Sequence, residues 1–361
     1  MNTMAIPSQN KDARNHFTQL SPGKLMGLRR ITDEKNRFKV LALDQSNSFR
    51  KALKALHAKE GMPQEPDYSE IRDIKLKMVE ILSPWATAVL LDVNYAARQA
   101  VSSMSLPKQV GLIVRLEASK DPGTKSEYEP GWSVEKIKKM GGDAVKLLVY
   151  IDTEDPENVK AQMNFVKEVS LACEKNDILL MTEELSFPRK GEEKTSPSYK
   201  ARKVKNILEA ARLIGPYTDI LKLEFPGFIQ EDSASQMEDN LQRLNETAIR
   251  PWVLLSAGEK FDLFAKQAEM AMQAGSSGYM AGRAIFNESF DNSKNQDSFL
   301  KSVGVERMKK LNALVEKNAR GWMERYKIAS QDLAATVDAQ WYLDSKSKNS
   351  KASGLMGSGD Y

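Results

Sequence analysis

Short apolar runs alternate with stretches of helical spacing along most of the chain. The runs FKVLALD (38–44), ATAVLLDV (86–93), GLIVRLE (111–117) and DAVKLLVYI (143–151) have the length and bounding turns of buried strands. So do DILLMTEE (177–184), DILKLEF (219–225), PWVLLSAG (251–258) and SGYMAGRAI (277–285). Between them, Ile71, Ile74, Met78 and Ile81 share one helical face, as do Val204, Ile207, Leu208 and Ala211, and Phe264, Ala268, Ala271 and Ala274. Strands separated by helices must be parallel, because parallel neighbours need crossover connections. Eight such units match the roughly 250 residues of a closed (β/α)8 TIM barrel. An open doubly wound sheet is the competing architecture, but no G-x-G-x-x-G or Walker-type loop follows the first strand.

The ends read as additions to this core. SPGKLMGLRRI begins with the Ser-Pro pair of a helix start, so a short helix is expected to close the N-terminal mouth of the barrel. The stretch from 296 to 345 is helical in pattern and carries Trp322, Tyr326, Trp341 and Tyr342, aromatics suited to packing on the barrel or on a partner subunit. The expected organisation is a flexible tail over 1–20, one barrel domain with its C-terminal helices over 21–345, and a disordered polar tail over 346–361.

Composition narrows the function. The 53 Lys and Arg against 49 Asp and Glu leave a net charge of +4, without the basic and aromatic clusters that track nucleic acid. No apolar run reaches membrane-spanning length and the first residues lack a secretory h-region, so a cytoplasmic location and no membrane partner are expected. Histidine occurs only at 16 and 57, and the one cysteine, Cys173, shares an apolar helical face with Met163, Val166 and Val169. A His or Cys metal cluster is therefore not expected.

The polar residues at the strand ends carry the chemistry, since barrel active sites lie at the C-terminal face. Those residues are Asp44, Gln45, Asp92, Arg115, Glu117, Lys146, Glu183, Glu184, Lys222, Glu224, Ser256 and Arg283. Lys222 sits inside the otherwise apolar run ILKLEFPG. Two readings are open for it: a buried ion pair with Glu224 or a neighbouring carboxylate, or a nucleophile. A desolvated lysine among cations, here Lys146 and Arg115, keeps free amine able to attack a carbonyl and form an imine, with Glu183 as the acid/base group. SAGE and AGR, at the seventh and eighth strand ends, are turns of the kind that binds phosphate in this fold, with Ser256, Gly258, Gly282 and Arg283 as candidates.

Taken together, LALDQ, GWSVEKIKKMGGDAVKLLVYID, TEELSF, DILKLEFP, VLLSAGE and GYMAGRA, in this order, resemble the class I tagatose 1,6-bisphosphate aldolases. The resemblance implies a (β/α)8 lyase that needs no metal or other cofactor and cleaves a ketose bisphosphate to dihydroxyacetone phosphate and glyceraldehyde 3-phosphate. It makes Lys222 the imine-forming lysine, Glu183 the proton-transferring glutamate, and Asp44, Gln45 and Lys146 substrate contacts; Arg115, from its strand-end position alone, is a further substrate-binding candidate. It makes Ser256, Gly258, Gly282 and Arg283 the phosphate site. Two departures stand out. Glu184 follows Glu183 where the family often has proline, so either glutamate can be the one that faces the substrate. The first loop reads DQSNSF, where many members have a basic, glycine-containing turn.

A sulfonated ketose phosphate is the alternative substrate, and a non-catalytic sugar-phosphate sensor is the alternative of another class. A metal-dependent aldolase would need histidine ligands at strand ends. A homo-oligomer, with a dimer built on the aromatic C-terminal helix, is the expected assembly.

Overall fold

The computed structural model describes residues 20–63 and 65–326. Eight strands form a closed parallel barrel in chain order: β1 (Phe38–Leu43), β2 (Ala88–Leu91), β3 (Gly111–Arg115), β4 (Ala144–Tyr150), β5 (Leu179–Leu185), β6 (Ile220–Leu223), β7 (Trp252–Leu255) and β8 (Gly278–Ala281), with β8 returning to β1. All eight expected strands are present. Several end a few residues earlier than their apolar runs, because the chain leaves the ladder where it turns into the loops of the C-terminal face.

The outer layer begins with α1 (Pro22–Ile31), α2 (Asn47–Glu60), α3 (Tyr68–Leu82), α4 (Ala97–Ser102) and α5 (Val134–Lys139). It continues with α6 (Pro156–Lys175), α7 (Pro197–Ile214), α8 (Ala234–Thr247), α9 (Phe261–Ala274) and α10 (Arg283–Phe286). After β8 the chain remains helical through α11 (Gln296–Phe299), α12 (Val305–Asn318) and α13 (Trp322–Tyr326). The helical stripes read from sequence face inward: Ile71 and Met78 on α3, Ile207 and Ala211 on α7, and Phe264, Ala268 and Ala271 on α9 are all buried. Cys173 and its partners Met163, Val166 and Val169 are buried on α6, and burial pushes the Cys173 thiol far above its ordinary range. His57 is also structural, its ring nitrogens placed against the Pro63 carbonyl and Glu70 Oε1.

Two apolar clusters result. The larger lies between the strands and the outer helices. The smaller fills the lower half of the barrel with Phe38, Val40, Ala42, Ala88, Leu90, Ile113, Ala144, Leu179, Met181, Ile220, Val253 and Met280. Leu28 and Ile31 of α1 and Trp322 of α13 belong to this inner cluster, so both helices plug the N-terminal mouth. Pro22 at the first turn and the Ser21 side chain, which accepts from the Lys24 amide, start α1 as the sequence indicates. Trp322 is 1% exposed, its amide donates to the Asn36 carbonyl, and Tyr326 Oη donates to the Asp219 carbonyl. These two aromatics thus pack on their own barrel. Trp341, Tyr342 and the tails expected over 1–20 and 346–361 lie outside the described residues, apart from Leu20.

Among the described residues no helix is long and apolar enough to cross a membrane. Replacing Trp322 with Ala empties the floor of the barrel and should lower stability by about 3 to 5 kcal/mol, read from the midpoint of urea unfolding.

Candidate active site

Along each strand the interior positions change character from bottom to top. On β4 Ala144 is followed inward by Lys146, Leu148 and Tyr150; on β5 Leu179 and Met181 lead to Glu183; on β6 Ile220 leads to Lys222 and then Glu224. On β3 Ile113 leads to Arg115 and Glu117, and on β1 Ala42 leads to Asp44. Period-two alternation thus places the apolar residues in the lower plug and the charged ones around a cavity of about 360 Å³ at the C-terminal face. That volume suits a small metabolite. Register sets Arg115 beside Lys146 and Glu183 beside Lys222.

Lys146 is the centre of the charge cluster. Its Nζ lies 3.0 Å from Asp44 Oδ2, 2.8 Å from Glu117 Oε1 and 2.9 Å from Glu183 Oε2. Burial by itself would lower the pKa of this ammonium, but Asp44, Glu117 and Glu183 outweigh it and hold it well above the ordinary lysine value. Lys222 Nζ lies 2.9 Å from the same Glu183 Oε2. One carboxylate oxygen therefore bridges two lysines. Among the described residues Glu183 is the one carboxylate within ion-pair distance of Lys222, against three for Lys146.

The carboxylates respond to the same balance. Burial would raise Asp44 and Glu183, but Lys146 and Lys222, with Arg115 acting also on Asp44, hold both below their ordinary values. Burial dominates at Glu117, which is raised despite Lys146 and Arg115. Its second oxygen accepts from the Leu148 amide at 3.1 Å.

The structure resolves which glutamate faces the cavity. Glu183 lines it, whereas Glu184 points the other way and accepts from the Glu224 amide through Oε1, leaving Oε2 without a hydrogen-bond partner. Burial and then the like charge of Glu224 push the Glu184 carboxyl well above its ordinary value. Glu224 Oε2 accepts from the Ser186 amide at 2.8 Å. The buried pairing of Lys222 is thus with Glu183, not with Glu224.

Arg115 lines the cavity, but its guanidinium is engaged within the protein. Nη1 donates to the Asp44 carbonyl at 2.6 Å and to the Ser46 and Ser119 hydroxyls at 3.0 and 3.1 Å, and Nη2 donates to Asn94 Oδ1 at 2.8 Å. Gln45 lines the cavity while its Nε2 donates to the Ala42 carbonyl at 3.2 Å. Ser46, Asn47 and Ser48 of the first loop line it as well. Asp92, a strand-end acid in the sequence, does not join them: it pairs with the buried Lys75 of α3 in the helix layer.

On the opposite side Ser256, Gly282 and Arg283 line the cavity. Gly258 adopts φ +84°, and a Cβ there would approach the Arg283 Cζ to 2.8 Å, so the missing side chain leaves room for the guanidinium. A Cβ on Gly282 would meet the Ala42 carbonyl oxygen at 2.3 Å, which fixes glycine where β8 closes on β1. Among the described residues Arg283 has no carboxylate partner, unlike Arg115.

Glu117, Tyr150 and Glu224 also line the cavity. Their signal in the sequence was strand parity, two or four residues beyond Arg115, Lys146 and Lys222. Among the described residues no group of three or more His, Cys, Asp or Glu is arranged to hold a metal ion.

Glu184 supplies a stability test. Its folded pKa is raised above the unfolded value, so its contribution is complete below about pH 4.5 and is lost as pH rises through the folded pKa. Glu184→Gln removes that loss. Its free energy of urea unfolding should gain on wild type as pH goes from about 5 to about 8, by at most about 1.4 kcal/mol per pH unit. A difference independent of pH would contradict the raised pKa.

The chain matches the family described as DeoC/LacD family aldolase over residues 40–288. It is 27% identical over 331 residues to the tagatose 1,6-diphosphate aldolase of Streptococcus agalactiae serotype V, covering 85% of this chain and 99% of that one. It is 27% identical over 335 residues to the tagatose 1,6-diphosphate aldolase of Listeria monocytogenes serotype 4a, covering 86% and 96%. In fold it is similar to a Schiff-base-forming fructose-1,6-bisphosphate aldolase, with a TM-score of 0.53 at 16% identity over 81% of this chain and 99% of that one. The fructose-bisphosphate aldolase of Plasmodium falciparum gives a TM-score of 0.59 at 10% identity over 86% and 97%. A charged cavity at the C-terminal face of a (β/α)8 barrel, and a family match over more than half its length, make this chain a lyase of the DeoC/LacD aldolase family.

Proposed function

We propose that the chain is a class I aldolase that acts through an imine on Lys222 and cleaves tagatose 1,6-bisphosphate, or a closely related ketose bisphosphate, to dihydroxyacetone phosphate and glyceraldehyde 3-phosphate. The observation that carries the reading is the unequal partnering of the two lysines. Lys146 is held by three carboxylates and Lys222 by one, the bridging Glu183. An ammonium surrounded by three acids keeps its proton through a reaction cycle. An amine whose single partner is also a proton acceptor can hand its proton over and attack.

The steps follow from that division of labour. Glu183 takes a proton from Lys222, and the free Nζ adds to the C2 carbonyl of the ketose. Glu183 then returns a proton to the departing hydroxyl, so the carbinolamine loses water and leaves a protonated imine. Removal of the C4 hydroxyl proton by a carboxylate lets the C3–C4 electrons flow into the imine; the aldehyde leaves and an enamine stays on Lys222. Protonation of the enamine at C3 and addition of water to the resulting imine release the second product and regenerate the amine. Lys146 and the ionised Asp44 orient the sugar hydroxyls meanwhile. Arg283 and the Ser256 hydroxyl supply the donors for one phosphate. No metal enters these steps. The names of the curated relatives support the choice of substrate.

Borohydride reduction in the presence of dihydroxyacetone phosphate and EDTA, followed by peptide mass mapping, should give one adduct, on Lys222. An adduct on Lys146 would exchange the two roles, and none at all on the folded protein would sink the imine mechanism. Arg283→Ala should lower kcat/KM for the bisphosphate by about thirtyfold, the scale of a lost charge-assisted hydrogen bond, and leave the unfolding midpoint nearly unchanged. An unaltered kcat/KM would remove Arg283 from the phosphate site.

A further inference from the structure

We propose that Lys75, on the outer helix α3, is a positioning residue that fixes the orientation of Asp44 inside the barrel. The proposal rests on the aldolase reading, in which Asp44 contacts the substrate. It starts from three consecutive carbonyl groups. Strand β1 ends at Leu43, and the carbonyls of Asp44 and Gln45 lie past the end of its ladder. Here each one meets a cationic side chain. The carbonyls of Leu43 and Gln45 both accept from Lys75 Nζ, at 2.9 and 2.8 Å. The carbonyl of Asp44, between them, accepts from Arg115 Nη1 at 2.6 Å. The peptide groups flanking Asp44 are thus held by one cation from the helix layer and one from the cavity. The direction in which Asp44 leaves the backbone, toward Lys146 at 3.0 Å, follows from that clamp.

Lys75 itself is built for this one task. It has no exposed surface, and its third donor goes to Asp92, which is likewise fully buried. An ammonium has three N–H donors, and all three are engaged. The rings of Phe49 and Tyr95 lie 5.1 and 5.7 Å from Nζ. Stability alone does not call for such a site, since apolar residues of similar volume usually serve as well as a buried ion pair or better. Aliphatic residues in its place would leave the Leu43 and Gln45 carbonyls without these donors. Burial also disfavours the charge on Lys75, an effect that Asp92 opposes.

The test is a mutant cycle. Lys75→Met combined with Asp92→Asn removes the ammonium and its counter-charge together, so that no uncompensated charge remains. The pair is made in wild type and in Asp44→Ala, with circular dichroism and melting to confirm folding, and kcat and KM are measured for tagatose 1,6-bisphosphate cleavage. In wild type kcat should fall about a hundredfold, the scale of a misplaced catalytic contact, with KM changed by less than about threefold. In Asp44→Ala the same pair should change kcat by less than about threefold, because the group it positions is already gone. Equal losses in the two backgrounds, or an unchanged kcat in wild type, would overturn the proposal. If the paired variant does not fold, Lys75→Arg keeps the buried cation but replaces a point donor with a planar fork, and it enters the same cycle with the same two outcomes. The wild-type adduct on Lys222 is recorded alongside. Its absence counts against the imine reading, whereas an adduct together with additive losses counts against Lys75 alone.

Discussion

The buried ammonium of Lys146 organises the upper half of this barrel. Taking one charge out of water costs several kcal/mol, and three carboxylates from three different strands converge to offset that cost. Each of those acids would be unfavourable at its own position without the lysine. Asp44, Glu117 and Glu183 therefore depend on one shared cation, and the ends of β1, β3 and β5 are tied through one nitrogen on β4. Lys222 joins this set at its edge, through the oxygen of Glu183 that already faces Lys146. Its position at the margin, with one partner, distinguishes it from the lysine at the centre.

Much of this arrangement was legible in the sequence because strand alternation is a rigid rule. Once a run such as DAVKLLVYI is read as a strand, the side shared by Lys146, Leu148 and Tyr150 follows, and the same holds for Arg115 with Glu117 and for Lys222 with Glu224. The eight-strand barrel was readable from the alternation of apolar runs with helical stretches, and the N-terminal plug from its Ser-Pro helix start. Alternation also says that Glu183 and Glu184 face opposite ways, but which is which depends on register, and register is fixed by neighbouring strands outside the local sequence. The pairing of Glu183 with the Cα of Lys222 supplies the missing piece.

What stayed hidden lies across elements. Asp92 ends its strand as Asp44 does, yet one faces the helix layer and the other the cavity. The difference is Lys75, distant in sequence and carried by a helix. That lysine was visible in one respect: it occupies the same face of α3 as Ile71, Met78 and Leu82, where an apolar residue would be expected. Arg115 was read as a cation beside the substrate, and no local pattern shows that its donors go to a backbone carbonyl, two serines and an asparagine. Partners of a charged side chain are set by tertiary geometry, which sequence spacing along one strand does not encode.

Leu28, Ile31 and Trp322 seal the lower end of the barrel, so the cavity opens at one end. Whatever enters must leave by the same door. In the imine mechanism proposed above, the fragment with no covalent tie to the protein departs first through this opening, and the tethered one is released only after water has entered. A high concentration of the first fragment then refills the vacated space before the second is freed, which drives bond formation in place of cleavage. The apolar floor that stabilises the fold thereby gives both fragments and the incoming water one shared route.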